Sequence, residues 1–159
     1  MQIKNKTNAM RLLDKHNIAY TVRDYTQTDA ISGMDVAAVL SEEPETVFKT
    51  LVTVGKSGAH YVFLVPVNKE LDQKKAAHCV GEKAIDMVKS KDLLPLTGYI
   101  HGGCSPLGMK KEFRTVLDES AARREILRFS GGKIGYQIEL RFEDLDKALK
   151  FELSPITAD

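Results

Sequence analysis

The sequence predicts a mixed α+β domain: a mainly antiparallel sheet, closed toward a barrel and covered by helices. Two observations carry that prediction. A β-branched run at 47–54 and an apolar run at 61–67 flank the turn Gly55-Lys56-Ser57-Gly58, which reads as a β-hairpin. Around it, strand-like and helix-like segments mix without the regular alternation of a parallel α/β protein. The size agrees: 159 residues, 43% hydrophobic and 28% charged, fit a single domain over 1–159 with a core that needs no disulfide staples.

Taken in order, residues 8–17 carry Ala9, Met10, Leu12 and Leu13 at helical spacing, with Thr7 placed to cap. Residues 20–25 alternate as a strand. Ser32, with Asp35 three positions on, resembles a capping box, and Val36, Val39 and Leu40 give the following helix one apolar stripe. The second hairpin strand lacks polar alternation, so both its faces are expected to be covered. Residues 72–79 read as a helix that Gly81 ends, and 84–88 as a short strand. From 98 to 109 the chain holds Gly98, Gly102, Gly103, Pro106 and Gly108 after a strand-like Tyr99-Ile100, the composition of a tight loop. Next come a strand at 115–117, a largely helical stretch at 119–127 and a glycine turn at 130–133. A strand at 136–140 and a helix at 142–149, with Phe142, Leu145 and Leu149 on one face, complete the chain.

Composition excludes several functions. Lys+Arg is 23 and Asp+Glu 22, a net charge of +1, which argues against a basic nucleic-acid coat protein and against DNA as a partner. No apolar run approaches a membrane span, and residues 1–6 lack the apolar stretch of a signal peptide. A soluble, cytoplasmic protein without a membrane partner is expected. Cys79 and Cys104 are then free thiols. His16, His60, His78 and His101 lie far apart, and neither metal-ligand spacings nor phosphate-loop glycine patterns occur, so no metal and no cofactor are expected.

The residues that could carry chemistry are few. By alternation Lys49 shares a strand face with Val47, Leu51 and Thr53. If that face points inward, its ammonium can polarise a carbonyl or hold a phosphate; otherwise it is a solvated strand lysine. The 102–106 loop is either a structural turn or a cradle of backbone N–H groups for an anion or a carbonyl oxygen. Ser130-Gly131-Gly132-Lys133 allows the same two readings. Cys104 has no base beside it at a catalytic spacing. Lys69, Lys74, Lys75, Lys83, Lys89 and Lys91 read as a solvated face or a nucleic-acid contact.

Three segments together resemble the YbaK/EbsC family of aminoacyl-tRNA deacylases, in order and spacing, across nearly the whole chain. They are Val47-Phe48-Lys49-Thr50-Leu51-Val52, the glycine-rich segment 98–108, and the segment 130–140, Ser-Gly-Gly-Lys-Ile-Gly-Tyr-Gln-Ile-Glu-Leu. The resemblance implies a distorted, barrel-like sheet of six to seven strands flanked by helices. It identifies Lys49 with the family's essential lysine and 102–106 with its Gly-x-x-x-Pro loop, which replaces the solvated-lysine reading. It implies trans-editing: removal of Cys-tRNA(Pro), and of Cys-tRNA(Cys), by a domain similar to the editing insert of prolyl-tRNA synthetase. The substrate's own thiol is then the nucleophile, and Cys104 is incidental to the chemistry. Lys49, Gly102 and Gly103 are the catalytic positions implied. Tyr25, Thr50, Cys104, Ser105, Pro106, Ser130 and Gln137 surround the substrate. The partners implied are the acceptor end of a mischarged tRNA and, transiently, prolyl-tRNA synthetase. The chain departs from the family at Gln137, where an acidic residue is common, and at Ser32, where an aromatic is; its 25–49 segment is also shorter. The rivals are a deacylase that uses water on alanyl- or seryl-tRNA, and a non-catalytic aminoacyl- or nucleotide-binding module.

Overall fold

The computed structural model describes residues 5–159, so positions 1–4 of the N-terminal reading lie outside the described residues. Helix α1 (Asn8–Lys15) starts where expected: Thr7 Oγ1 accepts the Met10 N–H at 3.2 Å. The same hydroxyl donates to the Gly131 carbonyl and ties the helix to a strand far along the chain. Strand β1 (Thr21–Asp24) leads to α2 (Gly33–Val39), where Ser32 accepts the Asp35 N–H at 3.1 Å. The hairpin is β2 (Phe48–Gly55) and β3 (His60–Pro66). Helix α3 (Gln73–Val80) is capped by Asp72, which accepts two N–H groups, and ends at Gly81 in the left-handed region, φ 76°. Strand β4 (Ile85–Met87), helix α4 (Ser90–Thr97) and strand β5 (Arg114–Asp118) follow. The rest is β6 (Ile126–Lys133), β7 (Tyr136–Arg141), α5 (Phe142–Leu145) and β8 (Glu152–Ser154).

The mixed α+β class stands, and pairing is mainly antiparallel; the exceptions are the parallel pairs β3–β5 and β5–β8. The closed barrel does not stand. Among the described residues, eight strands rather than six or seven form two sheets, β1-β7-β6 and β4-β2-β3-β5-β8. The reason lies at the outer edge of β2. Strand β4 pairs only with Thr53, Val54 and Gly55, and β6 meets β2 through the single bridge Val47–Arg128. A gap is left around Thr50, and the sheet cannot close.

Strand β3 is covered on both faces, as its lack of alternation predicts. Val62 and Leu64 join the main core with Met10, Leu13, Phe129 and Ile138. Phe63 and Val65 face Ala76, Ala77 and Val80 of α3, and Ile156. Each face therefore removes apolar area from water, and the strand sits between two layers.

Four local expectations change. Tyr99-Ile100 is not a strand: the Thr97 hydroxyl accepts the Tyr99 N–H at 3.0 Å, and the Tyr99 hydroxyl donates to the Leu107 carbonyl at 2.6 Å, which curls the chain into a loop. The stretch 119–127 holds only the 3₁₀ turn Glu119–Arg123, because β7 claims the chain as a strand from Ile126 onward. The glycines of 130–133 lie inside β6, where the register shifts between Ser130 and Lys133; the reversal itself is at Ile134-Gly135. Helix α5 is a single turn, with Leu145 buried and Phe142 and Leu149 packed against the core. Sequence reading also passed over α4 and β8: Pro95 inside α4 disguises a helix, and β8 has three residues. No helix among the described residues is long and apolar enough to cross a membrane.

Candidate active site

The gap beside β2 opens into a cavity of about 530 Å³. It is of a size that takes a small molecule or one end of a larger one. Strand β2 supplies Lys49 and Thr50, the loop after α4 supplies Gly102 and Cys104, β6 and β7 supply Ser130 and Gln137, and Tyr25 comes from the segment after β1. Phe48, Leu51, Val67, Leu93 and Phe129 give it apolar walls. Of the residues singled out from sequence, Gly103, Ser105 and Pro106 do not line it. Gly103 and Ser105 are buried in packing, and Pro106 faces a second cavity, beside α1 and β5.

Ladder geometry explains why β2 offers polar groups here. Val67 donates to the Val47 carbonyl at 2.8 Å, and Gly55 to the Ala59 carbonyl at 2.8 Å. Odd-numbered residues of β2 thus bond to β3, and alternation turns the Thr50 N–H and C=O toward the gap. The Thr50 Oγ1 is buried with no hydrogen-bond partner. The Lys49 side chain is 27% exposed, and its Nζ lies 3.6 Å from Glu70, whose side chain is 84% exposed. A pair so open to solvent is weak, so the ammonium can exchange Glu70 for an incoming anion.

In the glycine loop the roles divide. Gly102 has φ +86°, and a Cβ there would lie 3.0 Å from Ile31 Cγ2. Gly103 has ordinary angles, but its Cβ would meet the Lys133–Ile134 main chain at 3.0–3.2 Å. The Gly103 N–H already donates to the Ile100 carbonyl at 3.0 Å, and Pro106 has none to give. Among the described residues, no hydrogen bond engages the N–H of Gly102 or of Cys104. Among the residues of the 102–106 loop that line the cavity, these two are the available donors. The Cys104 thiol is nearly buried, and burial pushes its pKa up to about 11, against a small opposing pull from the Thr97 hydroxyl. At neutral pH it is a thiol, not a nucleophilic thiolate.

Gln137 is 2% exposed. Its Nε2 donates to Glu42 Oε1 at 2.8 Å, and its own Oε1 is buried without a partner. Glu42 is buried behind it, with Oε2 2.9 Å from Arg23 Nη1 and 3.3 Å from Arg128 Nε. Burial raises the Glu42 pKa, while the Gln137 hydrogen bond and the Arg128 and Arg23 charges pull it down; the net direction is up. Sequence reading missed Glu42, because Ser41-Glu42-Glu43 carries no sign of burial. No three His, Cys, Asp or Glu side chains converge among the described residues.

Comparison with known proteins bears on this site. The family model of the aminoacyl-tRNA editing domain matches residues 29–148. A relative from Enterococcus faecalis, named as a candidate Cys-tRNA(Pro)/Cys-tRNA(Cys) deacylase, EbsC, is 43% identical over 155 residues, covering 97% of this chain and 94% of that protein. A proline–tRNA ligase from Pelobacter propionicus is 31% identical over 90 residues, which span 57% of this chain and 16% of the ligase. The solved structure of a candidate trans-editing enzyme for prolyl-tRNA synthetase superposes with a TM-score of 0.82 at 21% identity, over 96% of both chains. A hypothetical protein superposes at 0.87 with 18% identity, over 96% of this chain and all of its own. At those identities the two structures speak for the fold.

Proposed function

The chain belongs to the aminoacyl-tRNA editing domain family, and from that membership we propose that it is a trans-acting deacylase that clears Cys-tRNA(Pro), with Cys-tRNA(Cys) as a second substrate. The observation that carries this is the convergence on one cavity of Lys49, Gly102 and Cys104, the last two with N–H groups that no hydrogen bond engages among the described residues, and Cys104 with a thiol un-ionised at neutral pH. Such a site has electrostatic and hydrogen-bonding power, and its one thiol is un-ionised at neutral pH, which favours a nucleophile that arrives with the substrate.

The cysteinyl thiol attacks its own ester carbonyl carbon, and Lys49 and the loop N–H groups stabilise the oxyanion. The carbon–oxygen bond to the tRNA then breaks. Cysteine leaves as a cyclic thiolactone, and the thiol proton ends on the tRNA 3′-oxygen. Because attack is intramolecular, positioning supplies much of the rate. Cysteine needs such clearing because it is close to proline in volume, and a binding pocket separates such substrates poorly. The same reading makes the protein a cytoplasmic, single-domain enzyme that needs no cofactor. It also makes prolyl-tRNA synthetase a transient partner, since the matching segment of the ligase is part of a synthetase.

Deacylation of Cys-, Ala- and Ser-charged tRNA(Pro) by the purified protein tests the proposal. Cysteine should be released fastest, as a product that depends on its sulfur. Equal turnover of alanyl and seryl esters would assign the work to water, and tight binding without turnover would leave a binding module.

A further inference from the structure

We propose that buried Glu42 is a positioning residue: it holds the Gln137 carboxamide with Nε2 turned inward and Oε1 facing the cavity, where Oε1 receives the α-ammonium of an aminoacyl ester. This rests on the deacylase reading and adds the group that selects the substrate's amine. A carboxamide has the same shape either way round, so only its hydrogen bonds decide which end faces the cavity. Glu42 decides it. An ionised carboxylate only accepts, so the amide must present Nε2 to Glu42 Oε1, at 2.8 Å. The carboxylate cannot turn away, because Arg23 and Arg128 both hold Oε2, at 2.9 and 3.3 Å. Both arginines are fixed in turn. Arg23 also donates to the Leu40 carbonyl, and Arg128 reaches Glu139 at 2.7 Å and donates to Thr46 Oγ1 at 2.6 Å.

What remains is Gln137 Oε1, an acceptor that is buried, unpartnered and part of a residue lining the cavity. Buried polar atoms are nearly always satisfied, and an orphan at a cavity wall marks where a ligand completes the set. The ligand group must donate, and an ammonium brings three N–H bonds. Arg23, Arg128, Glu42 and Glu139 sum to no net charge, so selection here is by an oriented hydrogen bond rather than by the field of a bare carboxylate.

The geometry also says what Glu42→Gln does. The Arg23 donor and the nearby Arg128 charge at the Oε2 position draw the new amide's oxygen to their side and turn its NH₂ toward Gln137. Gln137 must then flip, and the cavity faces a donor in place of an acceptor. In the double variant Glu42→Gln/Gln137→Glu, the new amide donates to the new carboxylate, whose second oxygen again faces the cavity as an acceptor.

The test compares cysteinyl-tRNA with 3-mercaptopropionyl-tRNA, which keeps the thiol and the ester and lacks the amine. The unmodified protein should favour the amine-bearing ester by roughly 10-fold or more in kcat/KM, the range of a hydrogen bond to a charged group. Glu42→Gln should bring the ratio to about one, and the double variant should restore it. A merely structural role would lower both substrates by the same factor and leave the ratio alone, which overturns the proposal. If Glu42→Gln does not fold, Gln137→Met decides the matter, because it leaves Glu42 with its arginines: a ratio near one supports the inference, and an unchanged ratio overturns it. Cleavage of neither ester by the unmodified protein refutes the deacylase reading instead, while equal cleavage of both refutes only the role given to Glu42 and Gln137.

Discussion

Lys49 brings a charge to the cavity wall while contributing little apolar burial, so its removal separates catalysis from folding. Lys49→Ala should reduce single-turnover deacylation about 100-fold or more, the usual loss for an oxyanion donor, with little change in thermal midpoint. Lys49→Arg should fail as well, since its planar fork displaces the charge. Near-normal rates in both would remove Lys49 from the mechanism. Cys104 should behave in the opposite way: Cys104→Ser retains most activity, and iodoacetamide labels Cys104 slowly at pH 8, as read by peptide mass, which separates it from the more exposed Cys79. The sign of its linkage follows. The folded thiol ionises near 11 and the unfolded one near 9.0, so the unfolded state loses its proton first, and this contribution to stability falls as pH rises from 9.0 to about 11. Cys104→Ala should flatten that part of the stability profile. Legibility at this scale followed chemical type. Lys49, Tyr25, Thr50, Ser130 and Gln137 sit in or beside recognisable segments and do line the cavity. Glu42 was invisible, because its burial depends on Arg23 and Arg128 arriving from two different strands.

At the level of elements, the glycine loop works by being seated against the turn between β6 and β7. Gly103→Ala must push the Lys133–Ile134 main chain by a few tenths of an ångström, and backbone there has little room to give. We expect a loss of roughly 1–3 kcal/mol in denaturant unfolding. Deacylation should drop further than stability explains, because the Gly102 and Cys104 N–H groups shift with the loop. Unaltered stability together with full activity would show the loop to be more loosely seated than its contacts indicate. Local signals served the elements well wherever a cap or an alternation was present: Thr7, Ser32, Asp72 and Gly81 all mark true helix ends. They failed where a distant partner overrode propensity. Residues 126–133 became a strand because β7 was available to pair with them, and the glycines that suggested a turn instead absorb a register shift.

For the molecule as a whole, a net charge of +1 limits how strongly tRNA can be drawn in. Between about 50 and 200 mM salt, kcat/KM on intact charged tRNA should fall by no more than roughly 100-fold, a shallower dependence than that of proteins making many phosphate contacts. A cysteinyl ester on a short 3′-terminal oligonucleotide should respond less still. A steep dependence shared by both substrates would place the main electrostatic contact at the acceptor end itself. The open sheet was not legible beforehand, since closure turns on how far β4 and β6 reach along one edge of β2, a matter of a few residues at each end. That unfinished edge has a consequence during synthesis. The hairpin containing Lys49 leaves the ribosome well before Ile126–Arg141, so for a time its free edge is a template on which another nascent chain can pair. The feature that gives the finished protein a place for substrate also exposes the half-made protein to self-association, and the late arrival of β6 and β7 walls off that edge, pairing with it only at the Val47–Arg128 bridge, as the cavity is completed.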